Sequence, residues 1–453
     1  MSIFKSCDIR GVYGQELDEE TAYRLGRAVG TRLCGREVVV GGDLRPSTSA
    51  LMAALIDGLL HSGAQVIALG ILPTPAFYDA KRRLRAPGAV MVTASHNPAR
   101  YNGFKVMLDE LPVTPEDVQA LAHEMAAGHF AEGRGQYRRV NLLDDYVDDL
   151  CSAFEGLVPR RVVVDAGNGS MSTVAPELLR RLGQEVVALY CTPDGAFPNR
   201  DPNPAIPQHL TVLQRRVVET GAALGMAYDG DGDRVILVDD GGRVLPADRL
   251  FVLLVRHTLA RRPGGAVVYD LKCSSIVEEE IRAAGGQPLR EKSGHAFIKR
   301  RLLTAGAVLG GEISGHYFFG ELGGDDALYA TLLLLRILDE LGTTLSAAMD
   351  TVPCYPITPD IRLPCSPQRA EALLEELVHA FADHPIDRLD GVRIEFTPAQ
   401  DGLAGWALAR LSVTEPLITL RFEAHSEAEL AAIQARVRAA SPTLEEVMEE
   451  AGR

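Results

Sequence analysis

Positive charge is in short supply in this 453-residue chain: Lys and Arg total 46 against 61 Asp and Glu, a net charge of −15. That balance opposes nonspecific binding to nucleic acid or to an anionic membrane surface, so neither is expected as a partner. Paired cysteines are also lacking. Cys7, Cys34, Cys151, Cys191, Cys273, Cys354 and Cys365 are odd in number, scattered, and form no CxxC. They read as reduced thiols of a cytoplasmic protein rather than a disulfide frame. The opening MSIFKSCDIRG has no apolar signal core. The most apolar helix candidate, residues 327–341, carries Arg336, Asp339 and Glu340. It is too short and too charged to span a bilayer and is expected in a core. No low-complexity segment occurs.

What is present is a globular composition, 46% hydrophobic and 24% charged, over a length that suits about three or four domains. Three stretches, from Val38, Val162 and Ala266, resemble one another. In each, an apolar strand ends at an aspartate (Asp43, Asp165, Asp270) and a short polar loop containing serine follows. An amphipathic helix, a glycine (Gly63, Gly183, Gly285) and a second strand complete the unit. Such strand–helix–strand units build parallel sheets, and their spacing is that of small domains repeated in tandem. In TAYRLGRAVGTRL, Ala22, Leu25, Ala28, Val29 and Leu33 step by three or four, as a half-buried helix requires. The C-terminal part differs. After the proline-rich join CYPITPDIRLP come a helix over 369–382, strands at 391–396, 406–411 and 417–424, and a last helix from about Ser426. This pattern predicts a small α+β domain, with Pro353, Pro356 and Pro359 as candidate hinge residues.

The sharpest motif is GMAYDGDGDRVILVD, residues 225–239. Asp229, Asp231 and Asp233 alternate with glycines between two apolar strands. Three carboxylates so close repel unless a cation sits among them, and glycine lets the backbone fold tightly enough for them to converge. Hard oxygen donors suit Mg²⁺. An EF-hand calcium loop is excluded, because its sixth position is Arg234 rather than glycine, its twelfth is Asp240 rather than glutamate, and its flanks are strands. Arg234 beside the trio adds a positive fork for a phosphate oxygen. A second motif, VMVTASHNPARYNGFK (90–105), ends an apolar strand abruptly at Ser95.

Four motifs stand in order: TASHNP (93–98), DGDGDR (229–234), GEISGH (311–316) and RLSVTEP (410–416). FKSCDIRG, PTPAFY, NGFK, FPNRDPNP, YDLKCS and KSGHAFIKRR lie among them. Together they resemble the α-D-phosphohexomutases, nearest the bacterial phosphomannomutase/phosphoglucomutase branch, over nearly the whole chain. The resemblance implies three tandem similar α/β domains with mixed sheets plus a C-terminal α+β domain, around a central cleft. The boundaries expected are 1–147 (phosphoserine loop), 148–249 (metal loop), 250–357 (sugar-binding loop) and 358–453 (phosphate-binding domain).

The activity implied is exchange of phosphate between the 1- and 6-oxygens of a hexose, mannose or glucose, through phospho-Ser95 and a 1,6-bisphosphate. The same bisphosphate would serve as activator. Ser95, Asp229, Asp231 and Asp233 would hold Mg²⁺. His316 would move the hydroxyl proton, its usual pKa of about 6.5 allowing both states near neutrality, with Lys105 and Arg10 close by. Arg234, Lys272 and His295 would contact phosphate or sugar. Glu312 and Ser314 would hold the 3- and 4-hydroxyls, which exchange places when the sugar turns end for end and leave C2 unread. Arg410, Ser412 and Thr414 would clamp the distal phosphate.

Three positions depart from the family pattern: Cys7 for tyrosine, Val413 for asparagine or glycine, and Ile313 for methionine. Competing functions are a phosphoglucosamine mutase (which usually has glutamine at the Ile313 position), a silent sugar-phosphate sensor, and a metal-dependent phosphatase.

Overall fold

The structure, a computed structural model, describes residues 3–5, 8–411 and 417–452. Its first three domains repeat one sheet order. In the first, the strand Glu37–Gly42 lies parallel to Gln65–Ile71 on one side and to Gly88–Val92 on the other, and Tyr101–Leu108 returns antiparallel to Gly88–Val92. In the second, Arg161–Asp165 lies between Glu185–Leu189 and Leu224–Tyr228, and Val235–Asp239 returns antiparallel to the latter. In the third, Ala266–Asp270 lies between Gln287–Glu291 and Leu309–Gly311, with Tyr317–Phe319 returning. The three stretches noted in the sequence are therefore the central strand, helix and neighbouring strand of each sheet. These strands read as continuous apolar runs because helices cover both faces of a parallel sheet.

The repetition has a functional consequence. TASHNP, DGDGDR and GEISGH all occupy the same topological place, the connection from the last parallel strand to the returning antiparallel one. Three copies of one connection are thereby turned towards a shared centre. One hydrophobic core runs from Val39 in the first domain through Val163 in the second to Leu335 and Val352 in the third. Residues 327–341 form the helix Ala327–Leu341, capped by the Asp326 side chain, which accepts from Tyr329 N–H. It contributes Leu328, Leu332 and Leu335 to that core.

The fourth domain is an antiparallel sheet ordered Ile361–Pro364, Leu417–Ala424, Gly405–Leu411, Val392–Phe396, Ile386–Asp387. The helices Pro367–Ala380, Glu427–Ala440 and Pro442–Glu450 pack on it around a core of their own. The proline-rich join is thus not all linker, since Ile361–Pro364 is an edge strand. Pro364 is tolerated there because a strand end at a sheet edge need not donate. This domain meets the third through a small apolar patch of Leu271, Trp406 and Leu408. Ion pairs surround the patch, among them Lys272 with Asp360 at 3.1 Å and Arg290 with Asp387 at 3.2 Å.

Candidate active site

Ser95 is fully buried and its φ is +51°, in the left-handed region that residues with a Cβ avoid. Its loop is held in that conformation by several bonds at once. Thr93 Oγ1 accepts from Ser95 N–H at 2.8 Å. The buried guanidinium of Arg45 donates to the carbonyls of Ser95, Asn97, Pro98 and Tyr101 at 2.7, 2.6, 2.7 and 3.0 Å. Asp43, the strand-end aspartate, pairs with Arg45 at 3.0 Å and also accepts from Thr93 and Thr48. Arg10, opposite Gly103 across an antiparallel pair, donates to Asn97 Oδ1 at 2.8 Å and pairs with Asp8 at 2.7 Å.

The aspartate loop lies directly against this serine loop. Ser95 Oγ donates to Asp229 Oδ2 at 2.9 Å. A Cβ on Gly230 would stand 2.5 Å from the Ser95 carbonyl oxygen, and Gly232 has φ +81°, so glycine is required for the approach and for the turn. Asp229, Asp231 and Asp233 are all buried and present one carboxylate oxygen each within 4.8 Å of the others. Lys105 Nζ donates to Asp231 Oδ2 at 2.7 Å and to Asp233 Oδ2 at 2.5 Å.

Burial, and then the charges of Asp231 and Asp233, push the Asp229 carboxyl up to about 8. Burial works against the Asp233 carboxylate too, but Lys105 and His316 hold it well below the usual range. For Lys105 burial would favour the neutral amine, and Asp231 and Asp233 overcome it. Asp231 Oδ1 is buried and takes no hydrogen bond from any described residue. An all-oxygen donor set whose mutual repulsion and burial raise one carboxyl, and another member of which has a buried free oxygen, fits a small divalent cation.

His316 closes the cluster from the third domain. Its Nε2 is 3.1 Å from Asp233 Oδ1, and its Nδ1 is 3.1 Å from both Glu312 Oε2 and Ser314 Oγ. Burial lowers its basicity, but Asp233 and the bond to Glu312 outweigh burial and the nearby Arg234 and raise it to about 9. The imidazole is therefore charged at neutral pH, unlike the evenly poised group expected from its ordinary value. Glu312 is held low by that same bond, against burial. Arg234 Nε lies 3.8 Å from Asp229 Oδ2. The His295 ring stacks on His316 at 5.7 Å, and burial, then Lys105 and His316, keep it neutral.

Ten residues singled out in the sequence thus meet in one buried cluster, and Arg10 joins it through Asn97. Two stand apart. Lys272 is paired with Asp360, and Arg410 with Asp390 at 2.8 Å. Ser412, Thr414, Val413 and Cys7 lie outside the described residues.

Sequence reasoning passed over Arg45, Asn97 and Asp325. Asp325 Oδ2 is 3.7 Å from His316 Nε2, and its Oδ1 is 3.7 Å from the buried Lys299 ammonium. For Arg45 a signal existed, since a strand-end aspartate bound for the interior needs a counter-charge and Arg45 stands two positions on. For Asp325 none did.

A buried serine hydroxyl against a carboxylate trio suited to a cation, with cationic side chains around them, on three copies of one α/β domain, is the constellation of a phosphoryl-transfer enzyme. Family models for phosphoglucomutase/phosphomannomutase alpha/beta/alpha domains I, II and III match residues 1–132, 144–242 and 246–355, and that for the C-terminal domain matches 368–440. The chain belongs to the phosphoglucomutase/phosphomannomutase family, within the α-D-phosphohexomutase superfamily, and is a mutase of that class.

It is 39% identical to a phosphomannomutase/phosphoglucomutase of Pseudomonas aeruginosa, over 96% of this chain and 94% of the relative. It is 35% identical to a phosphomannomutase of Salmonella typhimurium, over 97% and 98%. The crystal structure of a phosphoglucomutase/phosphomannomutase family protein from Burkholderia thailandensis superposes with a TM-score of 0.89 at 36% identity, over 97% of this chain and 98% of that one. Among the described residues no helix is long and apolar enough to cross a membrane.

Proposed function

We propose that the chain interconverts the 1- and 6-phosphates of mannose and of glucose, with Ser95 as the group that lends and reclaims the phosphoryl. The observation that carries this assignment is the 2.9 Å contact of Ser95 Oγ with Asp229, inside a buried trio of aspartates. In the first half-reaction the bond from phosphorus to Ser95 Oγ breaks and one to the free sugar hydroxyl forms. The hydroxyl proton ends on Ser95 Oγ. The bisphosphate turns end for end, and the second half-reaction reverses these steps with the other phosphate.

Such transfer depends on in-line placement and on balancing charge at the phosphoryl oxygens. Lys105, Arg10 and Arg234 supply fixed positive charge there, and Arg45 holds the attacking and leaving oxygen in place. Asp229, Asp231, Asp233 and the seryl phosphate would hold Mg²⁺, which when bound stabilises the negative charge of the transferring group. His316, charged and fixed between Asp233 and Glu312, would give and recover the proton. Glu312 and Ser314 would hold the sugar's 3- and 4-hydroxyls in either orientation, with Lys272, His295 and Arg410 as further contacts to phosphate or sugar. Nothing in that arrangement reads C2, where glucose and mannose differ.

The test is a coupled assay with glucose 1-phosphate, mannose 1-phosphate and glucosamine 6-phosphate, primed with a trace of hexose 1,6-bisphosphate. Isomerisation of both the glucose and mannose esters is expected. Release of inorganic phosphate would point instead to a phosphatase, turnover of the glucosamine ester alone to a glucosamine mutase, and binding without turnover to a sensor.

A further inference from the structure

The motif PTPAFY has one residue whose two hydrogen-bond donors are both spent on the neighbouring domain. Thr74 is the first residue of the helix Thr74–Leu84, set between Pro73 and Pro75, and is fully buried. Its N–H donates to the Asp231 carbonyl at 2.9 Å and its hydroxyl to Asp231 Oδ2 at 2.7 Å. An N–H in the first helical turn has no acceptor within its own helix, so it is free for this use. The flanking prolines restrict the backbone on both sides, and the N–H that Pro75 lacks is one the helix start would leave unpaired in any case.

Asp231 Oδ2 also accepts from Lys105, while Oδ1 remains buried without a partner. With one oxygen pinned by two donors, the direction of the other is determined. We propose that Thr74 is a positioning residue for the divalent cation: it fixes the Asp231 carboxylate so that Oδ1 faces the ion. Because Thr74 belongs to the domain that carries Ser95, the same two bonds register the serine loop against the aspartate loop. Residues that orient a metal ligand in this way typically contribute about 10–100-fold to metal affinity.

The proposal rests on the cation reading above, and the experiment separates the two. Full-length protein, phosphorylated at Ser95 as checked by intact mass, is titrated with Mn²⁺ and the free ion counted by electron paramagnetic resonance, for wild type, Thr74→Val, Thr74→Ser and Asp231→Asn. Thr74→Val keeps the shape and removes the donor, so its Kd for Mn²⁺ rises by about 10–100-fold, while Thr74→Ser stays within about threefold. Should Thr74→Val not fold, Thr74→Cys, a far weaker donor of similar size, takes its place with the same expectation. Unchanged Mn²⁺ affinity in Thr74→Val overturns the proposal. So does equal loss in the Val and Ser variants, which would mark Thr74 as an interdomain pin sensitive only to packing. Failure of the wild type itself to take up Mn²⁺ removes the cation reading, and this proposal with it.

Discussion

Arg45 donates to the carbonyl oxygen of Ser95 at 2.7 Å with no part of its side chain exposed. A buried arginine thus fixes the backbone from which the Ser95 hydroxyl projects, and Asp43 balances its charge. Removing one partner of a buried ion pair leaves the other uncompensated, which costs about 3–5 kcal/mol. Arg45→Met is therefore expected to lose stability on that scale in urea unfolding and to carry less phosphate on Ser95 by intact mass.

Freshly purified protein is expected to carry a phosphate adduct that Ser95→Ala abolishes together with mutase activity. Mass spectrometry reads this directly. A wild-type protein without the adduct under any preparation would count against the serine role.

Asp231→Asn removes a charge from the trio and is expected to lower kcat by orders of magnitude, with an unchanged circular dichroism spectrum. Dialysis against a chelator should abolish turnover of the wild type, and added Mg²⁺ should restore it. Turnover indifferent to both treatments would contradict a cation at the trio.

His316→Gln keeps a hydrogen-bonding side chain of similar reach but cannot hold the proton. A fall in kcat of about 10²–10⁴-fold is expected, the usual contribution of a placed acid or base, with a smaller change in KM. An effect confined to KM would reassign His316 to substrate binding.

Asp326 gives a pH dependence of stability whose sign is opposite to that of an ordinary paired carboxylate. Its carboxyl is buried, accepts from Tyr329 N–H and the Tyr146 hydroxyl, and is pushed up to about 7, chiefly by burial. Unfolded, it titrates near about 4. Between those values the folded chain binds more protons than the unfolded one, so stability falls as pH rises. The contribution is fully present below about pH 4 and is lost as pH passes through about 7. Asp326→Asn, whose Oδ1 can still accept from Tyr329 N–H while its amide donates to the Tyr146 oxygen, removes the ionisation and should flatten this part of the curve in urea unfolding measured from pH 5 to 8.

Much of the architecture is legible along the chain, because it rests on local pattern. Apolar runs ending at Asp43, Asp165 and Asp270 marked three sheets, and the helix at 327–341 was visible from its apolar density. The edge strand Ile361–Pro364 was not. The prolines of the join speak for a linker, and only pairing with Leu417–Ala424 makes its end a strand. The carboxylate trio was readable because its members fall within five consecutive residues, Asp229 to Asp233. Thr74 was not, since Asp231 lies 157 positions away, and Asp325 was not, since its pairing with His316 and Lys299 leaves no local pattern and each alone is an ordinary polar residue.

The sequence by itself determined the chemistry on offer: a serine at a strand end, three aspartates spaced by glycine, and a histidine in a third loop of the same kind. Tertiary structure decided which of these touch, and with what charge. Packing the three sheets on one core brings Ser95 against Asp229 from 134 positions away, and it encloses His316 between two carboxylates that keep it protonated. Protonation state follows from burial and neighbouring charge, quantities that exist only once the domains have closed on one another.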